Sequence, residues 1–246
     1  MLGTGGSFGS PLAYNKNGNI DINNKKNFRT RSSILIYLDD NVILIDTSPD
    51  LRFQLYEAKC TYVDAILFTH IHSDHVAGLP DCRALSLINN KIIPAYIPFE
   101  MKDEISRNYK YIFQGYKDYQ SFMKMNVIND NFYINNVYIE TFKHNHGSID
   151  VQTYRIGNFA YSTDLKKFYN QDIDKLKNLD LWIVGMLRPD PHPSHGGFDE
   201  IMEYINYLKP KKTVLTHMTA LLDYETLLRK CPHNVVPGFD GLEISI

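Results

Sequence analysis

Short apolar runs bounded by polar clusters dominate the early part of the chain. Ser33-Ile34-Leu35-Ile36-Tyr37-Leu38 and Val42-Ile43-Leu44-Ile45-Asp46 read as two β-rich runs joined by a hairpin-like turn at Asp39-Asp40-Asn41. Val63-Asp64-Ala65-Ile66-Leu67-Phe68-Thr69 is a third strand that leads straight into a group of histidines. Asp81–Leu87 suits a short helix. From about Phe99 to Met125 the pattern is helical and rich in aromatics: Tyr109, Tyr111, Phe113, Tyr116, Tyr119 and Phe122. Strands return at Val137–Phe142, Val151–Ile156 and Asn158–Ser162. They are followed by Leu181–Val184, a helix at Phe198–Leu208, a strand at Thr213–Thr216 and a helix at Tyr224–Lys230. Paired strands come first and β–α alternation later. That order predicts sheets layered with helices in one α/β domain over residues 1–246, with no linker to split it. Tyr14 to Lys26, with five Asn and a Gly, reads as a surface loop.

Composition removes several classes of function. The 246 residues carry 26 basic and 28 acidic side chains, a net charge of −2. A protein that coats phosphates carries a basic footprint, so nucleic acid is not an expected partner. No run of about 18 apolar residues exists, so no membrane span is expected. Met1-Leu2-Gly3-Thr4 has neither the basic nor the apolar region of a signal peptide. Cys60, Cys82 and Cys231 are odd in number and form no CxxC pair, which points to a reducing, cytoplasmic compartment. The nine histidines are the one excess with chemical meaning.

Most of that excess is concentrated. Thr69-His70-Ile71-His72-Ser73-Asp74-His75 follows the apolar strand directly. His70 and His72 alternate along an extended backbone and point the same way. Two such imidazoles grip a borderline cation at about 2.0–2.1 Å. Asp74 and His75 come one step later and reach toward a second cation. Four donors within six positions are hard to explain by packing.

His-x-His-x-Asp-His after an apolar strand resembles the signature of the metallo-β-lactamase superfamily. Leu2-Gly3-Thr4-Gly5-Gly6-Ser7, Arg29-Thr30-Arg31-Ser32-Ser33, Leu44-Ile45-Asp46-Thr47-Ser48-Pro49-Asp50, Leu215-Thr216-His217-Met218 and Gly238-Phe239-Asp240-Gly241-Leu242 fit as well. Together they resemble the branch containing phosphoribosyl 1,2-cyclic phosphate phosphodiesterase, over nearly the whole chain. The resemblance implies an αββα sandwich, two mixed sheets flanked by helices. It also implies two divalent metal ions, Zn or Mn. Their ligands would be His70, His72, His146 and Asp164 for one, and Asp74, His75, Asp164 and His217 for the other. His144 is the competing candidate for His146, which is preferred because Gly147 follows it. The ligand not chosen, His144, is then a surface residue or a support for the ligands. Such a pair of metals about 3.5–4 Å apart holds a bridging hydroxide for attack on phosphorus or a carbonyl. Asp74 is assigned to catalysis as well as to metal binding.

Further residues carry less specific signals. Asp46 either orients a ligand histidine or makes a simple turn before Thr47-Ser48-Pro49. Arg188-Pro189-Asp190-Pro191-His192-Pro193-Ser194-His195 follows an apolar strand and is stiffened by proline. His195 there contacts a phosphate or protonates the leaving oxygen, with Arg188 and His192 as further substrate contacts, or else the stretch is a structural turn. Gly3-Thr4-Gly5-Gly6-Ser7 lines the mouth of the site or makes a tight turn. Arg29 and Arg31 bind phosphate or sit on the surface. Relatives carry a short strand before Leu-Gly-Thr-Gly, whereas Met1 stands directly before Leu2 here, so either the start codon is misassigned or the first strand is truncated. No Cys lies between Ala13 and Arg31, so the structural zinc of the phosphodiesterase is not expected.

The function these residues imply is hydrolysis of a small, cyclic or nucleotide-like phosphodiester. The alternatives are a tRNA 3′-processing nuclease and a thioester or lactam hydrolase of the same fold. Residues 86–145 hold seven Lys/Arg against six Asp/Glu, so no basic arm for tRNA is visible. The aromatic stretch Tyr109–Phe122 is a lid, a homodimer face, where aromatics are enriched, or a locally packed helical piece.

Overall fold

The computed structural model describes residues 1–13 and 18–246; positions 14–17 of the expected surface loop lie outside the described residues. Two compact units are present. One is Ser33–Asn129 with Leu2, and the other is Met1, Gly3–Ser32 and Asp130–Ile246.

The Ser33–Asn129 unit runs β1 (Ile34–Leu38), β2 (Asn41–Ile45), α1 (Leu51–Glu57), β3 (Ala65–Leu67), α2 (Ser73–Val76), α3 (Cys82–Asn89), β4 (Ile93–Pro98), α4 (Lys102–Asn108), α5 (Lys110–Gln114) and β5 (Met123–Ile128). Its sheet has the order β1-β2-β3-β4-β5. β1 and β2 pair antiparallel, with Ile34 opposite Ile45, and the later neighbours are parallel. β2 and β3 are buried along their whole length. Continuous apolar runs of this kind belong to strands covered on both faces. Val42, Leu44 and Ile66 from these strands, and Phe68 just after β3, pack with Leu51 of α1, Leu79 and Leu85 of α3.

The Phe99–Met125 stretch is not helical throughout. The helices end at Gln114, Gly115 turns the chain at φ 71°, Tyr116 bridges Tyr119, and Met123 begins β5. Left-handed backbone at Gly115 is what a helix cannot continue through. Tyr109, Tyr111, Phe113 and Tyr119 pack against the core of this unit, and Arg83 lies over the Tyr119 ring at 4.2 Å.

The other unit runs β6 (Phe132–Ile134), β7 (Val137–His146), β8 (Ile149–Ile156), β9 (Phe159–Ser162), β10 (Lys167–Phe168), β11 (Leu181–Gly185), α6 (Phe198–Leu208), β12 (Lys212–Thr216), α7 (Tyr224–Lys230) and β13 (Val235–Pro237). The eight-stranded sheet has the order β10-β7-β8-β9-β11-β12-β13, with β6 beside β7. β7 and β8 form a hairpin in which His146 faces Ile149. Gly147, at φ 75°, makes its two-residue turn. β9, β11, β12 and β13 are parallel. Trp182 on β11 is fully buried with Phe168, Ile201, Ile205 and Leu215 around it. Burying an aromatic of this size stabilises by about 3 kcal/mol.

Both ends of the chain close this unit. Gly5 bridges Arg31 on one side and Met218 on the other. Asp240 accepts from the backbone and hydroxyl of Thr4 (2.9 and 2.9 Å) and of Thr30 (2.6 and 2.6 Å). Arg29 is not on the surface. It is 2% exposed and donates to Asn27 Oδ1 and to the carbonyls of Thr219 and Leu222.

Candidate metal centre

In the Ser33–Asn129 unit the histidine cluster begins where β3 stops. Thr69 and His70 are buried, and His72 stands just before α2, whose first turn carries Asp74 and His75. His70 Nε2 and His72 Nδ1 are 2.9 Å apart, and the His70 and His75 rings lie 4.3 Å apart. Asp74 Oδ2 is 3.3 Å from His75 Nε2.

Asp46 organises this cluster from beneath. It is fully buried at the end of β2, and its backbone turns off the strand at φ 63°. Its carboxylate accepts from Thr69 N (2.8 Å), from Thr69 Oγ1 (2.8 Å) and from His75 Nδ1 (2.7 Å). Burial pushes the Asp46 carboxyl upward, and His75 and Thr69 pull against that. The Thr69 hydroxyl hydrogen is spent on Asp46, so the 3.0 Å contact with His70 Nδ1 runs from the ring to the hydroxyl. Nε2 of both His70 and His75 is then left with a lone pair, the form a metal ligand needs.

The other unit holds a second cluster, built at the ends of β7, β9, β11 and β12. Asp164 follows β9 by two residues, with φ 51°. Thr163 Oγ1 donates to Asp164 Oδ2 at 2.7 Å. Around the opposite oxygen, Oδ1, stand three imidazole Nε2 atoms: His217 at 3.3 Å, His146 at 3.7 Å and His195 at 3.9 Å. His146, Asp164 and His195 offer ligand atoms within 4.8 Å of one another. Gly185, at the end of β11, makes room for this arrangement, since a Cβ there would lie 2.7 Å from the Asp164 nitrogen.

The proline-rich stretch after β11 is a closed turn. His192 and His195 exchange backbone hydrogen bonds at 3.0 and 3.3 Å. The Ser194 carbonyl accepts from His146 Nδ1 at 2.8 Å, which puts the ring's lone pair on Nε2. Gly147 lets the turn approach, because a side chain there would meet Ser194 Cβ at 2.9 Å. Lys166 holds the turn from outside through the His195 carbonyl and Glu200. The His195 ring stacks on His217 at 5.6 Å. Burial dominates its protonation and lowers its pKa to about 3, against the pull of Asp164. His192 lies half-buried with its ring 5.8 Å from His195, and Arg188 is half-buried at the start of the stretch.

His217 follows β12 with φ 58°. The Thr4–Gly6 segment lies along it: Met218 N donates to the Thr4 carbonyl and Gly6 N to the Met218 carbonyl. A Cβ on Gly6 would stand 3.6 Å from His217 Nδ1. The glycine-rich start therefore supports a histidine through its backbone.

His144 is not a surface residue. It lies one rung deeper than His146 on the same face of β7 and is fully buried. Burial lowers its pKa to about 4, although the Thr163 carbonyl and Asp164 pull upward. Sequence reading passed over Thr163, Thr69 and the Ser194 carbonyl. A signal was present: Thr69-His70, Thr163-Asp164 and Thr216-His217 each put a threonine before a donor at the end of an apolar strand.

The donor chemistry of each cluster fits divalent metal ions. Imidazoles with fixed tautomers and carboxylates in buried positions are the ligands that zinc and manganese accept. Known proteins agree at the level of family. A model of the beta-lactamase superfamily domain matches residues 41–218, more than half of the chain. The chain is 32% identical over 254 residues to an octanoyltransferase of Porphyromonas gingivalis (strain ATCC BAA-308 / W83), covering 100% of this chain and 51% of that protein. It thus spans about half the length of that curated relative. A crystal structure of a diphosphatase from the PhnP family matches with a TM-score of 0.89 and 28% identity, over 100% of this chain and 96% of that one. Zn(2+)-bound PqqB from Methylobacterium extorquens matches in fold, with a TM-score of 0.78 and 18% identity over 100% and 98%. The chain belongs to the beta-lactamase superfamily of metal-dependent hydrolases and has the metallo-β-lactamase fold, mixed α/β with two mixed sheets flanked by helices.

Proposed function

We propose that the chain is a dinuclear metal-dependent phosphodiesterase for a small, cyclic or nucleotide-like substrate. In this reading His70, His72, His146 and Asp164 would hold one ion, and Asp74, His75, Asp164 and His217 the other. The observation that carries the reading is the Asp164 carboxylate. One oxygen is tied down by Thr163 and the other faces His146 and His217, an arrangement suited to a bridging ligand. Phosphoryl chemistry is supported by the 28% identity, across the whole chain, to the PhnP-family diphosphatase.

Two Zn or Mn ions so held would supply an activated water and neutralise charge on a phosphoryl oxygen. The chain's own residues do the rest. Asp46, Thr69 and the Ser194 carbonyl hold ligand rings in the donor tautomer. His195, kept neutral by burial, gives a hydrogen bond to phosphate or to the leaving oxygen. Arg188 and His192 flank it as substrate contacts. The net charge of −2 favours a small phosphorylated ligand over tRNA. No helix among the described residues is long and apolar enough to cross a membrane. Free Cys60, Cys82 and Cys231 fit work in the reducing cytoplasm.

A second reading is thioester hydrolysis, favoured by the identity to an octanoyltransferase of which this chain spans half. The test is turnover of bis-p-nitrophenyl phosphate against an acyl thioester by protein loaded with Zn or Mn. Phosphodiester turnover that is lost on chelation and falls about 10²-fold in His195→Ala supports the first reading. Thioester turnover alone overturns it in favour of the second.

A further inference from the structure

We propose that His144 is a positioning residue, the last link of a one-way chain of hydrogen bonds that sets the carboxylate of Asp164. This rests on the reading of Asp164 as a metal ligand. The chain starts at Trp182, whose indole N–H only donates and lies 3.1 Å from Ser162 Oγ. Ser162 Oγ is 3.1 Å from Thr153 Oγ1, and Thr153 Oγ1 is 2.8 Å from His144 Nδ1. His144 Nε2 is 2.8 Å from the Thr163 carbonyl oxygen, which only accepts.

The two ends decide every hydrogen between them. A carbonyl opposite Nε2 requires that nitrogen to carry the proton. Nδ1 of the neutral ring is then an acceptor, and it takes the single hydroxyl hydrogen of Thr153. Thr153 Oγ1 must therefore accept from Ser162, and Ser162 accepts from Trp182. Trp182, Ser162, Thr153, His144 and Thr163 are each fully buried, so water does not compete for these groups. A buried network with every member satisfied is rigid, and removal of one member leaves another unpaired.

The end of the chain is where function would feel it. β9 stops at Ser162, so Thr163 and Asp164 lie beyond the end of the strand. His144 holds the carbonyl of Thr163, and the hydroxyl of Thr163 holds Asp164 Oδ2. Oδ1 is thereby turned toward His146 and His217. Two further details support a role beyond filling space. Asp164 stands in left-handed backbone, which needs support from its neighbours, and Gly185 leaves its nitrogen room.

The test exploits amide geometry. A glutamine amide nitrogen reaches about as far as Nε2 of histidine, and an asparagine amide nitrogen about as far as Nδ1. Zn²⁺ affinity is measured by chelator competition for the unaltered protein and for His144→Gln, His144→Asn, Thr153→Val and Asp164→Ala. Thermal melts of the metal-free proteins run alongside. His144→Asn should lose about tenfold in affinity, as when a group supporting a ligand is removed. His144→Gln should recover most of that loss. Thr153→Val, nearly isosteric, leaves His144 Nδ1 without its hydroxyl partner and should weaken binding as well as lower the melting temperature. ¹⁵N NMR of the unaltered protein should place the His144 proton on Nε2. If Asp164→Ala loses affinity while His144→Asn and Thr153→Val bind as the parent does, positioning is overturned and the metal reading stands. If Asp164→Ala binds as the parent does, the metal reading fails and this proposal with it. A His144 proton on Nδ1 also overturns it.

Discussion

Asp46 shows how much one buried carboxylate can govern. It serves both Thr69 and His75, so His70 and His75 receive their tautomers from the same group. Asp46→Asn is an informative change, because Asn tolerates the left-handed backbone found there. The exchange removes the charge and one acceptor without straining the chain. Metal affinity should fall by about 10–100-fold while the protein stays folded, measured by calorimetric titration and circular dichroism. The His70–His75 cluster was legible in the sequence because four donors crowd into six positions. The choice between His144 and His146 was not legible from spacing. Residues two apart on a strand share a face, so both histidines point the same way along β7. What separates them is depth: the outer one reaches Asp164 and the inner one reaches Thr163.

At the scale of elements, amphipathic helices with clear ends were read correctly, and the aromatic stretch was not. α6 and α7 fall on Phe198–Leu208 and Tyr224–Lys230, as their patterns predict. Glu200 caps α6 through the Gly197 N–H, and Asp223 caps α7 through the Thr226 N–H. Phe99–Met125 reads as helix because its aromatics recur at near-helical spacing. Its end, Met123-Lys124-Met125-Asn126, alternates with the period of a strand and becomes β5. Asp223 also accepts from Asn27 Nδ2 at 2.7 Å. Asp223→Ala should lower stability by about 1–2 kcal/mol in urea titrations at neutral pH. Burial raises the Asp223 pKa, but hydrogen bonds from Thr226, Asn27 and Asp21 outweigh it and hold the carboxyl at about 2, below its ordinary 3.8. A depressed carboxylate stabilises above its unfolded pKa and loses that contribution as pH falls through the folded one. The cost of Asp223→Ala should therefore shrink between about pH 4 and pH 2. Gly185→Ala should displace the Asp164 backbone and weaken metal binding more than it weakens folding, read by metal titration beside thermal melts.

For the whole molecule, the fold class was legible and the strand order was not. Alternation of strands and helices announces layers, but the sheet order β10-β7-β8-β9-β11-β12-β13 depends on pairings far apart in sequence. The same holds for the clasp in which Asp240 joins Thr4 to Thr30. Metal removal gives a global prediction. Ligand at about 1,000 times its Kd stabilises by about 4 kcal/mol. Chelation of loaded protein should then lower Tm by roughly 8–16 °C, measured by calorimetry. The left-handed backbone at Asp46, Asp164 and His217 carries a different consequence. Each of these residues occupies a conformation that disfavours any side chain with a Cβ, at about 1–2 kcal/mol. Glycine at Asp164 or His217 should make the metal-free protein melt above the corresponding alanine variant, by about 1 kcal/mol of stability. Among variants that have already lost these side chains, a selection for heat resistance carried out without metal would thus favour glycine at the positions proposed to hold the ions. The backbone that a glycine would suit best is the one on which the proposed ligands stand.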